Sequence, residues 1–297
     1  MYSYAGSFKV DLMAQDEWQA AFAQAAIKKV EISTSDVPEQ AVLDKLIPDM
    51  LRLQEAGSLD AASLHLPFAP FEKINCASPD ETLRKATVKV YADYIKRFAC
   101  LNIPNITMHC GGEPNAPEDR KMLMQNVRRS CEELLPVLEE CNSSLNLELL
   151  PRTCIGNVVE ELLEISDGLP LKHVGICLDV NHGMDQGVKI PQMILQCGER
   201  LKTFHISDYD NRDECHWNVG EGMLDWVAIQ DAIRQMPQEL LAIIEVKEIV
   251  IPAWRNYKID HRYNIQNIER NCMKMEFPRE MQQLMEKIKA SGFTGVQ

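Results

Sequence analysis

Residues 175–183 read G-I-C-L-D-V-N-H-G, and residues 204–210 read F-H-I-S-D-Y-D. Each is an apolar run of strand length that breaks into an acid or a histidine and then into polar residues. Such a run is the signature of a strand buried on both faces of a parallel sheet. Polar, ligand-capable residues at the C-terminal end of such a strand are where α/β barrels carry their chemistry. A third block, D-E-C-H-W-N-V-G-E-G at 213–222, adds His216 and Trp217. Its glycines at 220 and 222 let the backbone pass close to a ligand.

Outward from this centre the pattern repeats. Strands are expected at Ser7–Val10, Lys29–Ile32, Ala62–Leu66, Ile106–Cys110, Leu145–Leu149, Gly175–Val180, Leu201–Ile206 and Leu240–Val246. Stretches with helical spacing lie between them at Asp16–Ala26, Ala41–Ala56, Asp80–Ala99, Glu118–Glu140, Asn157–Ile165, Ile190–Cys197 and Trp226–Gln235. Pro48 should kink the second of these or move its start. Strands alternating with helices imply parallel βαβ units. Eight of them predict a single α/β domain over 1–297, a closed (β/α)8 TIM barrel with a helical C-terminal extension at 252–297. A doubly wound open sheet is the alternative, but no G-x-G-x-x-G follows the first strand to support it.

Composition narrows the partners. The chain has 297 residues, 45% of them hydrophobic and 25% charged, as in an ordinary soluble protein. Its net charge of −13 and the lack of a Lys/Arg-rich run weigh against gripping a nucleic-acid backbone and favour a small solute. The ten cysteines are scattered without a CxxC pair. With no secretory leader and no long apolar span either, the expectation is a cytoplasmic, reduced protein that does not enter a membrane. The helical tail could form an interface between copies of the chain.

Six residues fall at or near predicted strand ends: His65, His109, Glu148, Asp179, His205 and Glu245. From Glu148 onward their spacings are 31, 26 and 40 residues, close to one βα unit per step. Glu148 sits in L-N-L-E-L-L and Glu245 in L-A-I-I-E-V. A carboxylate inside such a run is costly unless it is paired or metal-bound. Glu148, Asp179, His205 and Glu245 converging on one point would hold one divalent ion, Mn2+, Mg2+, Co2+ or Zn2+. His65, His109, Arg152, His182, His216, Trp217 and Lys247 are the expected substrate contacts. Lys247 lies two residues beyond Glu245 and hence on the same side of the strand, whereas His173 and His261 are expected to be structural or superficial.

These residues resemble the xylose-isomerase-like barrel superfamily, which holds sugar isomerases and epimerases and the endonuclease IV type of abasic-site nuclease. The resemblance covers roughly residues 28–250. It is carried by S-L-H-L-P-F (63–68), M-H-C-G-G-E-P (108–114), L-E-L-L-P-R-T (147–153), C-L-D-V-N-H (177–182), H-I-S-D-Y-D (205–210), H-W-N-V-G-E-G (216–222) and I-I-E-V-K (243–247). In the tagatose 3-epimerase branch it implies metal ligation by Glu148, Asp179, His205 and Glu245, with the two glutamates as the acid/base pair and His182 on the substrate. An arginine of that branch falls on Asn211 here, next to Arg212, which leaves the substrate open. In the nuclease branch the extra zinc ligands match His65, His109, His182 and His216, with Glu214 where that branch has an aspartate.

The expected function is a metal-dependent sugar isomerase or epimerase acting on a small sugar or sugar derivative. Glu148 and Glu245 would exchange a proton α to a carbonyl through a metal-stabilised enediolate. The alternatives are a lyase or dehydratase on a keto-sugar or polyol, an endonuclease IV-like zinc phosphodiesterase, and a non-catalytic sugar-binding barrel.

Overall fold

The computed structural model describes residues 2–14, 18–19, 28–183, 189–210 and 214–246. Eight strands run as β1 (Tyr2–Lys9), β2 (Lys29–Ser33), β3 (Asp60–His65), β4 (Asn105–Met108), β5 (Ser144–Glu148), β6 (Val174–Asp179), β7 (Leu201–Ile206) and β8 (Leu240–Ile244). They pair in chain order, all parallel, and close into a barrel as β8 joins β1. The α/β barrel expected from the alternation is therefore the observed fold.

β1 departs most from expectation, since it begins at Tyr2 and not at Ser7. Its first half has a tertiary cause: Tyr2 to Gly6 pair in register with Leu240 to Ile244, the seam that shuts the barrel. Y-S-Y-A-G carries little periodicity of its own. The expected amphipathic stretch at 16–26 and the extension at 252–297 lie outside the described residues, apart from Trp18 and Gln19. Pro48 sits inside the helix Gln40–Glu55 without ending it. That helix buries Leu43, Leu46, Ile47 and Met50, and burial at about 1.5–3 kcal/mol per side chain outweighs the roughly 3 kcal/mol a mid-helix proline costs.

Strand alternation divides the interior into two shells. In β5, S-L-N-L-E, Leu145 and Leu147 face outward into the main core, which they share with Ile176, Leu178, Phe204 and Ile206. The intervening residues turn into the barrel. There the filling is small: Ala5, Ala62, Leu241 and Ile243 form a separate apolar cluster. The inner surface also carries polar side chains without exposure, among them Glu31, Ser63, Thr107, Asn146 and Thr203. The outer helices are tied by specific contacts as well. Asp80 caps the helix Glu81–Arg97 by accepting from the Thr82 amide at 2.8 Å. The buried Arg84 of that helix pairs with Glu81 and Glu133 and donates to Ser130 at 3.0 Å. No helix among the described residues is long and apolar enough to cross a membrane, and the nine cysteines among those residues are all free.

Candidate metal centre

The C-terminal mouth of the barrel gathers the residues that sequence spacing singled out. His65, Glu148 and Asp179 are the last residues of β3, β5 and β6, and His205 is the penultimate residue of β7. His109 and Glu245 follow β4 and β8 by one residue. Register places Glu148 opposite Cys177 and Asp179 opposite His205. All six are buried except His109, whose side chain is 12% exposed.

Among the described residues three groups of potential ligand atoms form, and they share members. One atom each from Glu148, Asp179, His205 and Glu245 lies within 4.8 Å of the others. His205 Nδ1 is 3.1 Å from Glu148 Oε1, 2.9 Å from Glu245 Oε2 and 3.8 Å from Asp179 Oδ2. A second group joins His65 and His109 to Glu148, with both Nε2 atoms near Glu148 Oε2 at 3.1 and 3.0 Å. The third joins His182 and His216 to Asp179. Phe68, from the loop after β3, stacks on His109 at a centroid distance of 4.1 Å and walls that side.

The expected substrate contacts are distributed unevenly. His182 and His216 are buried with ring centroids 5.8 Å apart. His182 bonds the Leu149 carbonyl through Nδ1 at 2.8 Å and Glu214 through Nε2 at 3.0 Å. Arg152 is half exposed and pairs with Glu113 at 2.7 Å and with Glu214, bridging three loops across the mouth. Trp217 is partly exposed and bridges its backbone to Asp208. Lys247 lies outside the described residues, as do Asn211, Arg212 and His261. His173 is buried and bonds the Ser143 carbonyl at 2.9 Å, remote from the mouth as expected.

The loop that carries His216 is built on Asp208. Its carboxylate accepts from the amides of Tyr209, Gly220 and Leu224 and from Trp226 Nε1, at 2.8–3.1 Å. A Cβ on Gly222 would stand 2.2 Å from Asp208 Oδ1. Gly222 therefore serves this internal packing, whereas Gly220, at φ +85°, has open space where a Cβ would stand.

Electrostatics follow from burying so many charges together. Burial alone would raise the Glu148 carboxyl, but His109 and His205 hold it well below the usual carboxylate range. Glu245 is likewise opposed by burial and brought down to about 2, chiefly by His205. Burial dominates at Asp179 and lifts it to about 6. Burial works against a charged His182, yet Asp179 and Glu214 raise it to about 10.

These shifts give a pH prediction for the metal-free protein. The His182 interaction is complete below its unfolded value near 6.5 and is lost as pH rises through about 10. The Glu245 interaction is complete above its unfolded value near 4.3 and is lost as pH falls toward about 2. Asp179, raised to about 6, costs stability as pH climbs from about 4 to 6. Thermal unfolding followed from pH 3 to 10 should therefore show Tm highest at roughly pH 4–5, falling below that and declining steadily above it. A Tm that keeps rising to pH 10 would contradict the assignment at His182.

One buried acid was not anticipated from sequence. Glu31, in the middle of β2, has no exposure and contacts His205, Ser7, Ser63 and Thr107. The signal existed, because K-V-E-I-S at 29–33 is also an apolar run interrupted by a carboxylate. It was masked because Glu31 lies two residues before its strand ends, away from the C-terminal edge where chemistry was sought.

The central group fits a divalent cation on two counts. Three carboxylates and one imidazole are a donor set for such an ion. Asp179 Oδ2 is buried without a hydrogen bond. His182 Nδ1 stands 3.3 Å from it but is directed to the Leu149 carbonyl. Such an oxygen is costly to bury unless a cation compensates fully.

Comparison with known proteins agrees with the fold. An uncharacterized protein of Methanocaldococcus jannaschii is 26% identical over 186 residues, 61% of this chain and 64% of that protein, so the match spans under two thirds of that relative's length. A protein of Alkaliphilus oremlandii named probable endonuclease 4 is 26% identical over 194 residues, 61% of this chain and 67% of its own. Among solved structures, a D-tagatose 3-epimerase-like protein superposes with a TM-score of 0.72 at 19% identity, covering 98% of this chain and 99% of the other, a likeness of fold. The sequence model of the xylose isomerase-like TIM barrel family matches residues 14–263. With that match over most of its length and the closed eight-stranded barrel it folds into, the chain belongs to the xylose isomerase-like TIM barrel family.

Proposed function

We propose that this protein is a divalent-metal-dependent sugar isomerase or epimerase that moves a proton α to a carbonyl. The observation that carries the reading is the central group, where Glu148, Asp179, His205 and Glu245 bring one ligand atom each within 4.8 Å of the others. A divalent ion held by these four residues supplies the Lewis acidity that makes a sugar C–H acidic enough for a carboxylate base. Glu148 and Glu245 take and return the proton. A depressed pKa suits either carboxylate to be the ionised base, and the other must carry a proton of its own to donate on the opposite face. β5 and β8 stand three places apart round the barrel, so the two carboxylates approach the centre from different sides. That arrangement suits removal of the proton from one face and delivery to the other. His65, His109, His182, His216 and Trp217, with Arg152 at the rim and Lys247 beyond β8, orient the hydroxyls of the substrate. Fold likeness to a tagatose 3-epimerase-like protein supports a sugar as the substrate class.

A second reading is zinc-dependent cleavage of phosphodiesters at abasic sites. One observation favours it: the outer groups His65–His109–Glu148 and Asp179–His182–His216 flank the central one and share its ligands, room for three ions in all. A relative named probable endonuclease 4 points the same way. Against it stand the net charge of −13 and the pairing of Glu214 with Arg152, which sets a cation of the protein's own beside the third group. A lyase or dehydratase would use the same proton abstraction and differ only in product.

Metal analysis of the purified protein, followed by a panel of ketoses and aldoses, decides among these. One divalent ion per chain and interconversion of a sugar pair are expected. Three zinc ions with salt-sensitive cleavage of abasic DNA would replace this reading with the second, and one ion with no turnover would leave a sugar-binding barrel.

A further inference from the structure

The geometry points to Glu31 as the residue that fixes the ring of His205, so that Nδ1 and not Nε2 is offered to the metal. The inference rests on the metal reading above. Glu31 is fully buried in the layer below the ligand group. Its Oε1 accepts from Ser7 Oγ at 3.1 Å, and its Oε2 accepts from Ser63 Oγ at 2.7 Å and from Thr107 Oγ1 at 3.2 Å. These hydroxyls come from β1, β3 and β4 and hold the carboxylate from three sides. The remaining approach is taken by His205 Nε2, 3.3 Å from Oε1 and 3.4 Å from Oε2.

An ionised carboxylate accepts hydrogen bonds and donates none, so the nitrogen facing Glu31 must carry its proton. The opposite edge of the ring then presents Nδ1 to Glu148, Asp179 and Glu245. A metal needs an unprotonated nitrogen there, and an imidazole locked as the Nε2–H form supplies it in the right orientation. A carboxylate behind a ligating histidine also raises the basicity of that histidine, and removing such a partner typically weakens metal affinity by about 10–100-fold. Glu31 touches neither substrate nor metal in this account; it is a positioning residue.

Two near-isosteric variants test it. Glu31→Gln keeps one acceptor but no charge, and Glu31→Met removes both acceptors. Co2+ titration calorimetry should show affinity falling in the order unsubstituted, Gln, Met, by about 10-fold and up to about 100-fold. In the Zn2+-loaded, 15N-histidine-labelled protein, His205 should show a metallated Nδ1 and a protonated Nε2. Each variant should lose or weaken that Nε2–H signal, which a change in packing alone would not do. Co2+ affinity unchanged in both variants, or a His205 metallated through Nε2 in the unsubstituted protein, would overturn the role of Glu31 while leaving the metal site standing. An unsubstituted protein that takes up no Co2+ would remove the metal site itself, and this role with it.

Discussion

Glu148→Gln and Glu245→Gln are each expected to lower turnover by about 10²–10⁴-fold, the range that general acid–base groups contribute. Glutamine preserves shape and can still ligate through oxygen, so the loss should appear in kcat more than in KM. The two variants should differ in stability. Glu148 accepts from His65 and stands within about 3 Å of His109 and His205, so its neutralisation leaves three imidazoles without their shared anion. Glu245 lies against His205 at 2.9 Å and acts from further off on His216, so its loss removes close contact with fewer imidazoles. The Tm of Glu148→Gln should therefore fall further than that of Glu245→Gln. Equal and undiminished turnover in both variants would remove these glutamates from the chemistry.

Stripping the bound ion should be the largest single perturbation of stability. Four buried acids, Glu31, Glu148, Asp179 and Glu245, crowd one region, and Asp179 Oδ2 is without a hydrogen bond. A ligand present at about a thousand times its Kd stabilises the folded state by about 4 kcal/mol. At about 2–4 °C per kcal/mol for a protein of this size class, chelation should lower Tm by roughly 10 °C. Asp179→Asn should largely abolish the difference between loaded and chelated protein, because the side chain that presents an unbonded buried oxygen, Oδ2, is then uncharged while Oδ1 keeps its bonds to the amides of Asn181 and His182. A Tm indifferent to EDTA in the unsubstituted protein would contradict a resident ion.

Most of this architecture could be read from residue order because two local signals coincide. Buried parallel strands such as L-K-T-F-H-I are continuous enough to locate, and β7 and the helix Ile190–Cys197 lie where periodicity places them. Carboxylates at the ends of apolar runs identify Glu148 and Glu245 because burial of an unpaired charge is so unfavourable. What stayed hidden depends on contacts distant in sequence. The first half of β1 is ordered by β8, 238 residues further on. Glu31 meets His205 across the barrel, 174 residues away, and nothing near it in sequence announces a partner. Gly222 is conditioned by Asp208, whose hydrogen bonds come from the following loop, which sequence pattern treats as irregular, and from Trp226 at the start of the next helix. Arg152 could be recognised as a cation in the L-E-L-L-P-R-T motif, but its pairing with Glu113 and Glu214 required the three loops to meet.

The most direct measurement is solvent deuterium wash-in at the carbon α to the carbonyl, run in D2O on a ketose that the loaded protein turns over. The account predicts one deuterium entering at that carbon with the metal-loaded protein. It predicts none above background after chelation and a loss of at least about 10²-fold in Glu148→Gln or Glu245→Gln. Sugar interconversion without deuterium entry, or entry unaffected by chelation and by both substitutions, would contradict it.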